Sequence, residues 1–158
     1  MDESQRQKVV RSPNQVRADV MSNFHGRHIV IVGFGAPVLL GQQDVVRSLL
    51  TKLIDAVGMR MLGEPQLYEV AIEISKMGQT PFEDEGGITG TAVLSTSHVA
   101  VHTWPVRGYA VLDMYSCRDF DCGVVEQIIH RNFALYASRT TDVSHALTPP
   151  PSPILTVR

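Results

Sequence analysis

Apolar and polar residues follow one another along this chain in patterns that predict alternating strands and helices. Residues 28–34 form an apolar, β-branched run, which predicts a buried strand. Apolar residues at helical spacing predict an amphipathic helix over residues 42–57, and Gly58 stands where a left-handed C-terminal cap is expected. A second helix is predicted after Asp121, whose carboxylate can cap it. Its apolar stripe comprises Val124, Val125, Ile128, Ile129, Phe133 and Tyr136.

The other periodic segments are typical of strands. Residues 68–75 alternate between polar and apolar side chains, and the predicted buried face carries Tyr68, Val70, Ile72 and Ile74. Three more strands are predicted over residues 88–96, 98–104 and 109–117, and a last one over 141–147. The order β-α-β-β-β-α-β predicts an α+β fold, a two-layer sandwich of an antiparallel β-sheet with helices packed on one face. The second face must be covered or tolerate water.

The domain organisation is predicted from where periodicity begins and ends. Residues 1–26 lack apolar periodicity and are expected to form a mobile N-terminal leader. Residues 148–158 begin with a proline run that fits neither helix nor sheet, so a Pro-rich tail is expected. Residues 27–147 remain as a single domain, of a size that can bury its own core.

Composition and charge narrow the class of protein. The 14 basic and 16 acidic residues give a formal net charge of −2, which argues against a nucleic-acid partner. The longest apolar stretch, residues 29–40, contains glycine and proline and falls short of the ~20 residues of a membrane helix. Two cysteines, Cys117 and Cys122, are too few for a disulfide scaffold. A cytoplasmic domain with neither nucleic-acid nor membrane partner is therefore expected.

The segment with the most chemistry is a predicted hairpin. If residues 105–108 form its turn, Trp104 pairs with Tyr109, and the register places Ser97 across from Ser116 with Cys117 beside it. Strand alternation puts His98 and His102 on one face. We therefore expect a hydroxyl, two imidazoles and a thiol along one small area of the sheet.

Three general explanations compete for this group. One metal ion cannot bind His98 and His102 together, since four residues of strand span ~13 Å, so no metal is expected. A serine hydrolase is disfavoured because Ser97 lacks the Gly-x-Ser-x-Gly elbow that exposes such a nucleophile. The simplest alternative is that these are ordinary strand residues on a solvated face.

The combination, however, resembles a known family. The run Thr-Ser-His-Val-Ala-Val-His-Thr-Trp-Pro over residues 96–105, then Gly-Tyr-Ala and a cysteine twenty residues after the serine, is similar to the bacterial and archaeal S-adenosylmethionine decarboxylases. The close similarity covers residues 87–117. It implies a self-processing enzyme that is cut between Thr96 and Ser97. Ser97 then becomes a covalent pyruvoyl group, which forms a Schiff base with a small substrate that carries a primary α-amine.

The resemblance also implies roles for further residues. His102 matches the histidine that moves a proton during processing, and Thr89 matches a serine that assists it. Cys117 matches the general acid that returns a proton to the substrate carbon. Phe82 is the candidate for an aromatic face against an adenine. The resemblance further implies a role in polyamine (spermidine) biosynthesis. It also implies a homodimer whose sites contain residues from both protomers, and no cofactor beyond the pyruvoyl group.

The remaining members of the segment carry no assigned step. His98 is expected to orient or pack near Ser97, and Trp104 and Pro105 to be structural. Cys122, at the predicted start of a helix, is expected to fill apolar space.

Some positions depart from the family pattern. Thr96 and Val106 replace glutamates, residues 33–37 lack the usual acidic and aromatic residues, and 83–85 form an acidic loop. Val106 can neither bind ribose hydroxyls nor offset a sulfonium charge. Two alternatives therefore stay open: a pyruvoyl-dependent arginine or ornithine decarboxylase, and a non-catalytic homologue that regulates a partner.

Overall fold

The structure, a computed structural model, describes residues 26–71 and 85–144, together with Ser12 and Gln15. The elements in chain order are β1 Arg27–Phe34, α1 Pro37–Leu40, α2 Gln43–Ala56, β2 Gln66–Val70, β3 Gly87–Leu94, β4 Ser97–Trp104, a 3₁₀ turn Pro105–Arg107, β5 Tyr109–Ser116, α3 Cys122–Phe133 and β6 Ala137–Asp142. The strands form one six-stranded sheet in the order β2-β3-β4-β5-β1-β6. Every neighbouring pair is antiparallel. The predicted α+β sandwich is confirmed.

Both predicted helices are present. The first ends where the sequence indicates, but the second ends at Phe133, so Tyr136, which was predicted on its apolar stripe, lies outside the helix and is 77% exposed. The apolar stripe of α2 is buried and comprises Val46, Leu49, Leu50, Leu53 and Ile54. Gly58 follows it with a φ of +62°, the left-handed conformation expected of the cap. At the start of α3, the Asp121 carboxylate accepts hydrogen bonds from the backbone N–H groups of Gly123 and Val124. These bonds satisfy donors that a helix start otherwise leaves unpaired.

Between β1 and α2 lies the short helix α1, which the periodicity did not predict. Pro37 occupies its first position, where the missing N–H costs nothing. The chain approaches α3 so closely here that a Cβ atom on Gly35 would lie 2.5 Å from the carbonyl oxygen of Phe133. Part of the departure at residues 33–37 therefore has a packing reason.

Two strand predictions were wrong in detail. The last strand covers Ala137–Asp142 instead of residues 141–147, and it lies at the sheet edge, where its mostly polar residues show no apolar pattern. In β2, Tyr68 is 60% exposed, and the neighbouring Leu67 packs against the core. The predicted apolar face of β2 is thus reversed. The side of β2 that faces the core is the side that packs against α2, and Leu67 lies on that side.

Each inner strand has one buried and one half-exposed face. The helices cover the first, and their apolar residues meet Ile29, Ile31, Val99, Val101, Leu112 and Met114. We call the second the open face. It carries His28, Phe34, Thr89, His98, His102, Trp104, Tyr109, Asp113 and Tyr115. Among the described helices, none has the length and apolar character needed to cross a bilayer.

Several predictions fall on residues that the structure does not describe. These are Phe82, the tail over residues 148–158, most of the leader, and the second half of the strand predicted over 68–75. They stay predictions.

Candidate active site

Ser97 begins β4 directly after the two-residue turn that joins β3 to β4. Leu94 and Ser97 face each other across this turn, and Ser97 is 8% exposed. Thr96, which supplies the carbonyl of the expected scissile bond, has a φ of +60°. A residue with a Cβ atom in this left-handed region is strained by roughly 1–2 kcal/mol. The bond expected to break therefore follows a strained residue and precedes a nearly enclosed hydroxyl.

Cys117 follows β5 and lies beside Ser97, as the hairpin register predicted. Trp104 pairs with Tyr109, and the backbone N–H of Cys117 donates to Ser97 Oγ over 2.9 Å. Thr96 Oγ1 lies 3.1 Å from Cys117 Sγ. The hydrogen bond with the Thr96 hydroxyl lowers the pKa of the Cys117 thiol, although burial acts in the opposite direction. Thr96, Ser97 and Cys117 form one group, which we call the cleavage cluster.

Thr89 and His102 form a second group on the open face. They are directly opposite each other in β3 and β4, and Thr89 Oγ1 lies 3.1 Å from His102 Nδ1. The ring of Trp104 flanks the imidazole with 6.3 Å between centroids. Because Nδ1 is engaged by Thr89, a proton transfer by this ring would use Nε2.

The two groups do not meet within one chain. Ser97 and His102 are five residues apart on β4, which corresponds to about 16 Å of strand. Five is an odd number, so their side chains also point to opposite faces of the sheet. The expectation that the hydroxyl, both imidazoles and the thiol share one small area is therefore wrong for a single protomer.

The structure also joins three residues that the sequence analysis did not connect. Asp113 lies between two histidines on the open face: its Oδ2 is 3.0 Å from His28 Nε2, and its Oδ1 is 3.0 Å from His98 Nε2. Tyr115 packs against both rings, with centroids 5.8 Å from that of His28 and 5.9 Å from that of His98. We call His28, Asp113 and His98 the histidine–aspartate cluster. Only the pairing of β1 with β5 brings His28 there, which explains why local patterns missed it.

The donor set of this cluster is one that divalent transition metals accept. Its three ligand atoms lie within 4.8 Å of one another. The two imidazole–carboxylate distances, however, are those of ordinary hydrogen bonds. The carboxylate therefore already has a partner on each side.

Cys122 has a polar partner as well as the expected apolar one. Its side chain packs against the core, and its Sγ accepts a hydrogen bond of 3.0 Å from Arg27 Nη1. Arg27 also forms an ion pair of 2.6 Å with Asp119, in the loop that follows Cys117. Arg27 thus fixes the loop between Cys117 and α3.

A cavity of about 290 Å³ lies at the end of β4 that is remote from Ser97. Val106 lines it together with two carboxylates, Glu69 and Glu85. Glu85 pairs with Arg107, which lowers the pKa of the Glu85 carboxyl. Because Arg107 offsets the charge of Glu85, the negative charge of the described part of this wall comes from Glu69.

Comparison with known proteins identifies the family. The profile of the S-adenosylmethionine decarboxylase family matches residues 27–145. The S-adenosylmethionine decarboxylase proenzyme of Thermomicrobium roseum is 49% identical over 94 residues, which cover 58% of this chain and 67% of that protein. The proenzyme of the same name from Archaeoglobus fulgidus is 30% identical over 96 residues, covering 60% and 72%.

A solved structure agrees at the level of the fold. The crystal structure of the adenosylmethionine decarboxylase from Aquifex aeolicus superposes with a TM-score of 0.62 at 19% identity, over 83% of this chain and 98% of that one. The family profile covers the residues that form the six-stranded sheet and the hairpin that begins β4 at Ser97. The chain belongs to the S-adenosylmethionine decarboxylase family.

Proposed function

We propose that this chain is a self-cleaving decarboxylase that acts on S-adenosylmethionine through a pyruvoyl group made from Ser97. The observation that carries the proposal is the geometry of the cleavage cluster. A strained Thr96 stands before the bond, and the Ser97 hydroxyl is held next to it by the N–H of Cys117. The family match and the proenzyme names of the relatives support the proposal.

Cleavage would begin when Ser97 Oγ attacks the carbonyl carbon of Thr96. The new C–O bond replaces the C–N bond, so an ester then joins the two parts of the chain. Loss of the Ser97 Cα proton breaks the Cβ–Oγ bond, and Oγ leaves as part of the Thr96 carboxylate. Water then displaces ammonia at Cα. The products are fragments 1–96 and 97–158, the second with a ketone at its start.

The pyruvoyl group would supply the electron sink that decarboxylation needs and that no natural side chain offers. The residues present fit such a group, because the backbone N–H of Cys117 already points at the position of Ser97. The thiol of Cys117 stands beside the same position and would return a proton to the substrate carbon. In the uncleaved chain the Thr96 hydroxyl lowers the pKa of this thiol, and the role as acid rests on the position of the thiol beside Ser97.

The processing base would come from a second copy of the chain. His102 of the same protomer is about 16 Å away along the strand and faces the other side of the sheet. In a homodimer, the Thr89–His102 pair of the partner subunit would stand next to Ser97, where its Nε2 could accept the Cα proton. Each dimer would then contain two composite sites.

The open face is the surface on which this dimer would form. Aromatic rings run in contact across three of its strands, from Trp104 through Tyr109 to Phe34, and continue to Tyr136 directly before β6. Phe34 and Tyr136 are 43% and 77% exposed in the protomer. Such a patch gains free energy when a second sheet covers it.

The substrate is expected to be a cation. S-adenosylmethionine carries a sulfonium and an α-ammonium group, and the cavity beside Val106 presents the carboxylate of Glu69, whereas Glu85 is paired with Arg107. The Thr89–His102 pair lies towards the same end of the sheet. The decarboxylated product would be the aminopropyl donor of spermidine biosynthesis.

Mass spectrometry under denaturing conditions tests the cleavage. We expect fragments 1–96 and 97–158 instead of one chain of 17.4 kDa. A hydrazide reagent should label the smaller fragment, because it begins with a ketone. An intact, unlabelled chain would refute the proposal and favour a non-catalytic regulatory homologue.

Carbon dioxide release identifies the substrate. S-adenosylmethionine, arginine and ornithine are compared at equal concentration, with Ser97→Ala as the inactive control. Release from S-adenosylmethionine alone supports the proposal. Release from arginine or ornithine instead would show a pyruvoyl decarboxylase with another specificity.

A further inference from the structure

The histidine–aspartate cluster links three strands at one carboxylate. His28 belongs to β1, Asp113 to β5 and His98 to β4, and both imidazoles reach the carboxylate over 3.0 Å. His98 is also stacked on Tyr115, with 29° between the rings. The side chain of His98 is therefore held on two sides, by a hydrogen bond and by an aromatic ring.

His98 has a special place in the chain, because it directly follows Ser97. Before cleavage, the β3–β4 turn holds Ser97 from one side and the hydrogen bond from Cys117 N–H holds its Oγ. Cleavage at Thr96–Ser97 breaks the first connection. It also removes Oγ, which leaves with the Thr96 carboxylate, so the N–H of Cys117 loses this partner.

We propose that His98, anchored by Asp113 and His28, is a positioning residue that holds the new N-terminus of fragment 97–158 in the catalytic site. This inference rests on the proposed function. The last residue of a strand frays unless something holds it, and residue 98 is the nearest position from which the reactive terminus can be fixed. Its anchor lies on the open face, so it holds the terminus without occupying the space beside Cys117.

The test compares variants of the mature enzyme. His98→Ala removes the anchor, and His98→Gln keeps an N–H near the position of Nε2. His130→Ala is the matched control, because it removes a half-buried histidine that bonds Ser138 over 2.7 Å on the other side of the molecule. The readouts are the extent of cleavage, kcat and KM for S-adenosylmethionine, and hydrogen exchange of the backbone amides of residues 98–100.

We expect the His98→Ala chain to cleave and its kcat to fall about ten-fold, with a smaller change in KM, because the loss of one hydrogen bond corresponds to roughly this factor. The backbone amides of residues 98–100 should also exchange faster. His98→Gln should recover most of kcat, and His130→Ala should behave like the wild type. His28→Ala frees one side of Asp113, so its kcat and its amide exchange should lie between those of His98→Ala and those of the wild type.

Three results would overturn the inference. The first is a cleaved His98→Ala enzyme with unchanged kcat and exchange. The second is an equal loss in His98→Gln together with lower thermal stability, which would indicate a purely structural role. The third is binding of one zinc ion per chain that His98→Gln abolishes, which would make the cluster a metal site. An uncleaved wild type would instead refute the proposed function itself.

Discussion

The strained backbone at Thr96 offers a direct test of the cleavage chemistry. Its φ of +60° costs roughly 1–2 kcal/mol in a residue that has a Cβ atom. Glycine adopts this conformation without that cost. Thr96→Gly is therefore compared with Thr96→Ala: both remove the hydroxyl that contacts Cys117, and only glycine removes the strain.

The expected magnitude follows from the strain. If the attack of Ser97 releases all of it in the transition state, the strain accelerates cleavage by about 5- to 30-fold, since 1.36 kcal/mol is a factor of ten. Thr96→Gly should then mature more slowly than Thr96→Ala by up to this factor. The assay follows the freshly translated chain of 17.4 kDa as it converts into fragments 1–96 and 97–158 on denaturing gels.

The same strain can be measured without cleavage, in a Ser97→Ala background. There, Thr96→Gly should raise the free energy of unfolding above that of Thr96→Ala by about 0.5–1 kcal/mol, which is the strain less the extra entropy that glycine loses on folding. Chemical denaturation provides the measurement. A glycine variant that matures as fast as the alanine variant, and is no more stable, would refute the argument.

The remaining predictions concern the composite site, the thiol and a helix cap. Neither the Ser97→Ala chain nor the His102→Ala chain should mature when it is made alone. In cells that make both, the mixed dimer has one complete site, with Ser97 from the His102→Ala chain and His102 from the Ser97→Ala chain, so the His102→Ala chain should be cleaved. Absence of this cleaved product counts against a shared site. Cys117→Ala should mature and then turn over about 100-fold more slowly, so normal kcat would exclude Cys117 as the acid. In the Ser97→Ala precursor, Thr96→Ala should move the pH midpoint of Cys117 alkylation upward, since the hydroxyl that lowers this pKa is gone; an unchanged midpoint contradicts the assignment. Asp121→Ala should cost about 1 kcal/mol of unfolding free energy in the same precursor, and no measurable loss would deny the cap a role.

Local sequence patterns predicted much of the fold correctly, because such patterns depend only on residues that are close together in the chain. The stripe in α2, the cap at Asp121 and the Trp104–Tyr109 register were predicted from a few residues each and are present in the structure. The edge strand β6 was misplaced because a strand with mostly exposed residues has no apolar alternation to read.

The sequence by itself determined the layers of the sheet and helices, the hairpin that brings Cys117 to Ser97, and the motif by which the family is recognised. All of these depend on short-range spacing. Only the tertiary structure decided that Ser97 lies on the face covered by the helices while His102 lies on the open face, and that His28 reaches Asp113 from a strand 85 residues away. These facts depend on the pairing of distant strands and on the side of the sheet that the helices cover, since burial of that side settles where every second residue points.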